Sequence, residues 1–319
     1  MKGLFIGLTT LDVIHQVEQL PGQNQKVKSQ RFVMAAGGPV TNGAVSFSAY
    51  GGHATLVTRL PDHPLSHAVI EDLHGCGIKL FRSPDSGSAP PVVATTTVQA
   101  SNGDRATVSF VDGGFSNRLQ GAFSPVANTD NATPWKAPVN VSNVDVALID
   151  GYHRDLFWAL LPELRQNQVP IILDGGSWKP YMKDLLPHVD VAIVSNDFRP
   201  PELAADADAD ALLEYLLSTG VKLAIITNGD KPIIYRGLGK SRELQKTVIL
   251  AGKYSPQRVA VVDTLGAGDF FHGAFAPWVA ATHGLPRTHL GVHSAIGFAS
   301  HVAGLSISEF GPRAWLKKV

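Results

Sequence analysis

Residues 261–275 are Val-Val-Asp-Thr-Leu-Gly-Ala-Gly-Asp-Phe-Phe-His-Gly-Ala-Phe, an apolar run that narrows to Gly-Ala-Gly and continues with helical spacing. The pattern predicts a loop that leads into a helix N-terminus. Because Gly266, Ala267 and Gly268 carry little or no side chain, their N–H groups can point together at an anion such as a phosphoryl group. A carboxylate beside an anion site is repelled by it. We therefore predict that Asp269 abstracts a proton from an attacking hydroxyl.

Short glycine motifs are common by chance. Taken alone, Gly-Ala-Gly-Asp favours an ordinary helix start, with small residues for close packing and an acid that complements the positive helix end. The longer string and the rest of the chain are needed to decide between the two interpretations.

The composition is that of an ordinary globular protein. The chain has 319 residues, of which 44% are hydrophobic and 17% charged, and its 27 basic residues balance its 27 acidic ones. This balance gives no bulk attraction to nucleic acid or to an anionic membrane surface, so neither is a predicted partner. The single cysteine, Cys76, excludes an intramolecular disulfide, and no uninterrupted apolar run of about 18 residues occurs. We therefore expect a cytoplasmic protein without a membrane span.

Apolar strand patterns alternate with helical patterns along the chain, which predicts an α/β fold with a parallel sheet covered on both faces. Predicted strands lie at residues 4–8, 54–58, 144–150, 170–174, 189–195 and 222–227, and predicted helices at 62–75, 156–166, 208–217 and 287–302. Open α/β sheets bind ligands at the carboxyl ends of their strands. Asp12 follows the first strand and is thus a candidate acceptor for substrate hydroxyls, with turn capping as the alternative.

A second glycine turn precedes a predicted helix. Gly37 and Gly38 are followed by Pro39, at the first helical position, and then by small residues through Ala49. Such a turn lets the backbone approach a ligand closely. The alternative is that the glycines serve only turn geometry and helix packing.

Two hairpin-like segments predict a small β-sheet that stands off the main sheet. One lies within residues 13–33 and the other within 91–111. We predict that these two segments form a lid that keeps water away from the reacting groups. Residues 1–12, 34–90 and 112–319 then form the core. Lys26 and Arg105 lie on the lid and are candidate contacts to a polar or anionic substituent, with solvated surface charges as the alternative.

Three features together resemble the ribokinase/PfkB family of carbohydrate kinases. They are Asp-Thr-x-Gly-Ala-Gly-Asp-x-Phe at residues 263–271, Gly-Gly-x-x-x-Asn at residues 37–42, and Asp12 after the first strand. The resemblance covers nearly the whole chain. It implies a ribokinase-like three-layer α/β/α core with a mainly parallel central sheet and a small discontinuous β-sheet lid.

Two branches of the family look closest. Residues 7–14 and 261–269 are similar to ketohexokinase, whereas residues 37–39 and 268–274 are similar to the sulfofructose kinase branch. Both branches phosphorylate the primary hydroxyl of a ketose. The resemblance therefore implies an ATP-dependent kinase that transfers the γ-phosphoryl group to a primary hydroxyl of a ketose or ketose derivative, with Mg²⁺ bridging the phosphates.

The resemblance also assigns residues to roles. The catalytic residues it implies are the base Asp269 and the anion hole Gly266, Ala267 and Gly268. The substrate-binding residues it implies are Asp12, Gly37, Gly38 and Asn42. The nucleotide-binding residues it implies are Asn196, Thr227, Gly229, Thr264 and Gly304. A monovalent cation such as K⁺ is implied at Asp263, Ala299, Gly304 and Ser308.

Departures from the family pattern keep alternatives open. Arg199 stands where the family has an acid, and glycines usual near Asp62 and Lys231 are missing. One alternative is a nucleoside or ribose kinase of the same fold. Another is a sugar- or nucleotide-binding protein with weak turnover. Lids of this kind often pair, so a homodimer through the lid also stays open.

Overall fold

The computed structural model describes residues 1–83, 87–111, 139–204, 206–240, 247–282 and 285–319. The strands are β1 (Lys2–Ile6), β2 (Thr10–Val17), β3 (Arg31–Gly37), β4 (His53–Thr58), β5 (Lys79–Arg82), β6 (Val92–Gln99), β7 (Arg105–Phe110), β8 (Val146–Ile149), β9 (Ile171–Gly175), β10 (Val191–Ser195), β11 (Leu223–Thr227), β12 (Ile233–Lys240) and β13 (Thr247–Tyr254). The helices are α1 (Pro39–Ala49), α2 (Pro64–Gly75), α3 (Arg154–Gln166), α4 (Met182–Leu185), α5 (Ala209–Ser218), α6 (Ala267–Ala281) and α7 (His289–Ile307). Residues 112–138 of the predicted core lie outside the described residues.

The large sheet has nine strands in the order β13-β12-β11-β10-β9-β8-β1-β4-β5. The strands from β11 to β5 in this order pair in parallel, whereas β12 and β13 add an antiparallel hairpin at one edge. The parallel strands apart from β5 are apolar and largely buried because helices cover them on both faces. The edge strand β5 has no buried residue. The prediction of a mainly parallel central sheet is confirmed, although the antiparallel edge was not predicted.

The side chains of each central strand alternate between two cores. Along β1, Phe5 packs into one hydrophobic cluster, whereas Leu4 and Ile6 pack into another. The first cluster includes residues of α1, α6 and α7, and the second includes residues of α3 and α5. This alternation follows from the two-residue period of a strand. The result is the predicted three-layer α/β/α arrangement.

The second sheet has four strands in the order β3-β2-β6-β7. β2 pairs antiparallel with β3 and parallel with β6, which is why two segments distant in sequence build one sheet. Ile14 and Val98 on its inner face pack against Phe310, with Val262 and Leu265 beside them. The lid sheet is therefore anchored on the loop that precedes α6 and on the C-terminal segment.

The strand bounds place Asp12 within the lid sheet. The boundary predicted between residues 12 and 13 falls inside β2, and β3 continues to Gly37. Asp12 is therefore held by strand pairing with Ala35 rather than by a turn after β1. This pairing fixes its position relative to the glycine turn at the end of β3.

Among the residues that the structure describes, one helix, α7, is long and apolar enough to cross a membrane by length and composition alone. Its residues Val292, Ile296, Ala299 and Val302 are buried in the core cluster shared with α6. These residues form the core-facing side of the helix, and 33% of its apolar window is buried.

Candidate active site

The loop after Asp263 ends at an open helix N-terminus. Gly266 adopts a left-handed conformation (φ 75°) at the N-cap of α6, and no side chain among the described residues caps this helix. A Cβ atom added at Gly268 would meet no atom within 4 Å. The helix end therefore faces open space at Gly268, whereas the N–H of Ala267 makes a long 3.5 Å hydrogen bond to the carbonyl oxygen of Thr264. The helix dipole adds positive potential there. This geometry suits a bound anion.

Asp269 and Asn42 meet at this helix end. Nδ2 of Asn42, on α1, donates a hydrogen bond of 2.9 Å to Oδ2 of Asp269, on α6. Asp12 is close enough to act electrostatically on the Asp269 carboxyl. The three polar residues proposed from separate stretches of sequence are thus brought together by α1, β2 and α6.

The close approach of α1 to α6 depends on two glycines. A Cβ atom at Gly273 would lie 2.0 Å from the carbonyl oxygen of Gly43. The two backbones are therefore in direct contact at this crossing. This contact places Asn42, one residue before Gly43, within hydrogen-bond reach of Asp269.

The environment of Asp269 favours the protonated acid. Removal from water, followed by the negative charges of Asp174 and Asp12, raises the pKa of Asp269 to about 7 against the opposing effects of the hydrogen bond from Asn42 and the nearby His272. Nδ1 of His272 lies 3.2 Å from Oδ2 of Asp174, at the end of β9. Such a pKa is near the pH at which a general base works best.

The glycine turn and Asp12 form one polar surface. A Cβ atom at Gly37 would lie 2.1 Å from Oδ2 of Asp12, so only glycine fits under this carboxylate. Gly38 has φ 101°, and a Cβ there would lie 2.2 Å from the carbonyl oxygen of Leu8. Thr10 Oγ1 donates a 2.6 Å hydrogen bond to Oδ1 of Asp12. Burial raises the pKa of Asp12, whereas this bond lowers it.

Asn196, Thr227 and Gly229 lie at adjacent strand ends. The N–H of Asn196 donates to the carbonyl oxygen of Thr227, and β10 pairs with β11 through Ser195 and Thr227. Gly229 has φ 56°.

Gly304 belongs to a separate cavity of about 260 Å³ beside α7. Other residues that line this cavity are Tyr254, Gln257, Val259, Gly297, Ser300, His301, Leu305 and Ser308.

Asp263 closes the loop onto the C-terminal segment. Its Oδ1 accepts from the N–H of Leu265 at 2.9 Å and its Oδ2 from the N–H of Gly311 at 3.1 Å. Ser308 follows Ile307, whose carbonyl oxygen accepts from the N–H of Asp263. Ala299 is buried within α7. Both oxygens of the Asp263 carboxylate thus already accept hydrogen bonds from backbone N–H groups.

The two lid cations differ in position. NH1 of Arg105 donates a 3.2 Å hydrogen bond to Oγ1 of Thr264, so the lid touches the loop before α6. Lys26 is exposed in the connection between β2 and β3.

Sequence reasoning missed several residues that surround the site. Arg313 bonds to Asn42, and Asp72 bonds to Arg313. His272 lies between Asp174 and the carbonyl oxygens of Gly268 and Ile193. The position of Asp174 at the end of a predicted strand indicated that it could face the site. Its pairing with His272 could be found only from the fold.

A model of pfkB family carbohydrate kinases matches residues 2–318. The chain belongs to this family. The kinase is similar to the ribokinase of Bacillus subtilis (strain 168), with 24% identity over 315 residues that cover 96% of this chain and 92% of the relative. It is also similar to the fructoselysine 6-kinase of Escherichia coli (strain K12), with 25% identity over 255 residues that cover 79% of this chain and 84% of the relative.

A solved structure supports the fold. The kinase superposes on Arabidopsis thaliana ribokinase complexed with ribose and ATP with a TM-score of 0.64 and 19% identity, covering 99% of this chain and 97% of that one. The predicted family, the ribokinase-like fold and phosphotransferase activity on a carbohydrate are confirmed. The resemblance to the ketohexokinase and sulfofructose kinase branches stays a prediction.

Proposed function

We propose that this kinase transfers the γ-phosphoryl group of ATP to a primary hydroxyl of a ketose or ketose derivative. The observation that carries the proposal is the hydrogen bond from Asn42 to Asp269 beside the open N-terminus of α6. A base and an anion site lie in the first turn of α6, and Asn42 brings a polar side chain for the acceptor from α1 to the same point. Phosphoryl transfer needs these three parts close together.

Asp269 is the proposed general base. The acceptor oxygen forms a bond to the γ-phosphorus, the bond from that phosphorus to the β–γ bridging oxygen breaks, and ADP leaves. The hydroxyl proton moves to the Asp269 carboxylate. The N–H groups of Gly266, Ala267 and Gly268 stabilise charge on the transferring group, a contribution on the order of 3 kcal/mol for each well-placed donor.

The substrate assignment rests on the side chains around this base. Asp12 accepts hydrogen bonds from sugar hydroxyls and Asn42 donates to them. The bare turn at Gly37 lets the Asp12 carboxylate lie directly against the backbone beside the sugar. Arg105 and Lys26 contact a polar or anionic substituent. Fructoselysine, a ketose derivative, is the substrate named for one relative, which supports a ketose. The ribokinase relatives support ribose to about the same extent, so a ribose or nucleoside kinase is the second candidate.

Nucleotide and metal requirements follow from the same site. We assign the ATP phosphates to Asn196, Thr227, Gly229 and Thr264, and the base to the cavity at Gly304. The part of the chain that the structure describes has no group of three or more His, Cys, Asp or Glu side chains that could hold a metal ion. This fits Mg²⁺, which binds chiefly to substrate phosphates and water. We propose that Asp197 binds this Mg²⁺ ion through a water molecule.

We keep K⁺ as a proposed activator at Asp263, Ala299, Gly304 and Ser308. Because the Asp263 oxygens already accept backbone N–H groups, such an ion would depend chiefly on carbonyl oxygens. We also propose a cytoplasmic location, which the single cysteine supports.

A substrate panel tests the proposal. Purified kinase with ATP and Mg²⁺ is given ketoses, ketose derivatives, aldoses and nucleosides, and ADP release is measured beside Asp269→Asn. We expect ketoses or their derivatives to give the largest kcat/KM. Faster turnover of ribose or a nucleoside would select the second candidate, and ATP binding without ADP release on every sugar would favour a binding protein.

The electrostatics of the base predict a pH dependence. Asp269 must be ionised to accept a proton, so kcat/KM is expected to fall as pH drops through about 7, the pKa of this carboxyl. Asp174→Asn removes a negative charge that raises this pKa, so the acid limb of the profile should move to lower pH. The measurement is kcat/KM against pH.

The matched control for this prediction is Asp150→Asn. Asp150 is a buried acid at the end of β8, the strand beside β9, and it is not among the groups that shift the pKa of Asp269. Its substitution should leave the acid limb where it is. An unmoved limb in Asp174→Asn would contradict the assignment of Asp269 as the titrating base.

The outer face of the lid sheet supports a homodimer. Phe32, Met34, Val108 and Phe110 are exposed there. Met34 and Val108 belong to one row across the sheet, through Val13. Exposed apolar rows on a sheet mark interfaces. We propose a second copy of this chain as the partner.

Val108→Glu should therefore convert the dimer to a monomer in light scattering at micromolar protein, because it buries a charge in the interface. Ile249→Glu on β13 is the control, since Ile249 is 70% exposed and Val108 is 75% exposed. The same mass for both variants would contradict the lid interface.

A further inference from the structure

Arg313 connects the C-terminal segment to the site. Its NH1 donates to Oδ1 of Asn42 at 3.2 Å and to the carbonyl oxygen of Pro312 at 3.0 Å. Its NH2 donates to the carbonyl oxygen of Ala36 at 2.7 Å and to Oδ2 of Asp72 at 2.9 Å. Nε donates to the same Asp72 oxygen at 3.1 Å. Each N–H of the planar guanidinium group has an acceptor, which fixes its orientation.

Asp72 and Arg313 together hold the residue that precedes the glycine turn. The N–H of Ala36 donates to Oδ2 of Asp72 at 2.9 Å, and the carbonyl oxygen of Ala36 accepts from Arg313. Both sides of this residue are therefore bonded to one ion pair. The pair is largely buried, with 14% of the Arg313 side chain and 20% of the Asp72 side chain exposed. Water competes little with these bonds.

The bond from Arg313 decides which way the Asn42 amide faces. An amide has one acceptor end and one donor end. Arg313 only donates, so it holds the oxygen end of Asn42, and the nitrogen end must then face Asp269. If the amide turned over, its oxygen would face the Asp269 carboxylate and repel it.

We propose that Arg313 is a positioning residue for phosphoryl transfer: by holding the Asn42 oxygen, it keeps the Asn42 N–H on the Asp269 carboxylate. The inference rests on the proposed function. Arg313 lies 271 residues from Asn42 in sequence, so through this side chain the C-terminal segment orients a residue of the site. Asp72 keeps Arg313 in place.

The variants that test this are Arg313→Met and Arg313→Lys. Met keeps the unbranched apolar stem and loses the donors, whereas Lys keeps the charge and loses the planar fork. We expect Arg313→Met to lower kcat/KM on the order of 10- to 100-fold, the usual effect of losing a partner that orients an active-site group. Arg313→Lys should recover part of this loss. Arg236→Met, which removes a surface ion pair with Asp210, should retain wild-type kinetics.

A purely structural role would not move the titration of Asp269. The titratable groups that act on this carboxyl are Asp12 from β2, Asp174 from β9 and His272 from α6. Arg313→Met removes none of them, but the Arg313 charge lowers the pKa of Asp12, so its loss makes Asp12 less negative and on its own would lower the pKa of Asp269. The loss of the ordered Asn42 donor acts in the opposite direction and should raise the pKa of Asp269. We expect the acid limb of kcat/KM to move to higher pH. We also expect the ¹³C carboxyl signal of Asp269 to titrate at higher pH.

The carboxyl titration does not require turnover. If the wild-type chain phosphorylates no sugar, the proposed function fails, while the NMR comparison still tests whether Arg313 controls Asp269. An unchanged Asp269 titration in a folded Arg313→Met variant would overturn the inference. If that variant does not fold, Arg313→Lys with an unchanged titration and unchanged kcat/KM would overturn it.

A double-mutant cycle gives a second outcome. In an Asn42→Ala background, the Arg313→Lys substitution should add little further loss in kcat/KM, because the amide that Arg313 holds is absent. Fully additive losses would show that Arg313 acts by a route other than Asn42 and would overturn the inference.

Discussion

Asp269→Asn is expected to lower kcat by about 10²- to 10⁴-fold, the usual contribution of a general base, while the Kd for ATP stays close to that of the unmodified chain. The amide has the same shape as the carboxyl but cannot accept the hydroxyl proton. The variant should fold, because burial already disfavours the charged form of this carboxyl, whose pKa is about 7. The neutral amide removes that penalty and can still accept the N–H of Asn42.

The measurement separates chemistry from binding. ADP release under saturating sugar and ATP gives kcat, and calorimetry gives the Kd for ATP. Asp210→Asn is the matched control, since Asp210 is also an acid in the first turn of a helix, α5, but is exposed on the surface. It should turn over at the unmodified rate. Undiminished turnover by Asp269→Asn would show that another group takes the proton.

The parts of the site that sequence reasoning found are the ones encoded locally. Gly266 and Gly268 flank an alanine directly before a helical pattern, so the open helix N-terminus follows from neighbouring residues. Gly37 and Gly38 precede Pro39 in the same way. In each case the backbone conformation depends on residues that lie within one turn of one another.

The parts that it missed depend on contacts across the fold. Nothing near Arg313 indicates that its guanidinium reaches Asn42 and Asp72, because α2 and the C-terminal segment meet only after the layers have packed. The pairing of His272 with Asp174 likewise needs α6 to lie against the end of β9. Side chains on separate elements become neighbours through topology, which local patterns do not specify.

Strands at the edge of the large sheet were also harder to predict from local sequence. The run at residues 222–227 predicted a strand, and β11 is found there, but the β12–β13 hairpin beyond it was not predicted. β13 alternates exposed and partly buried residues at the edge of the sheet, so its apolar signal is weak. An edge strand has fewer packing partners to favour apolar residues than a central parallel strand.

The largest expected effect on stability comes from Gly273→Ala. The new Cβ would lie 2.0 Å from the carbonyl oxygen of Gly43 and 2.7 Å from its Cα. These are backbone atoms, so no side chain can rotate away and α6 must separate from α1. Overpacking of this kind typically lowers the free energy of unfolding by about 1–3 kcal/mol and occasionally more. Here we expect a loss of at least about 3 kcal/mol. Alanine's better helix propensity, worth about 1 kcal/mol, does not offset it.

Gly268→Ala on the same helix is the matched control. Its Cβ would meet no atom within 4 Å, so only the gain in helix propensity remains and Tm should stay level or rise. Thermal unfolding of both variants by circular dichroism measures the difference. Gly273→Ala should also lose the Asn42 bond to Asp269, since that bond depends on the same crossing of α1 and α6. If both variants melt at the temperature of the unmodified chain, the two backbones are not in contact at Gly43, and the crossing does not position the base.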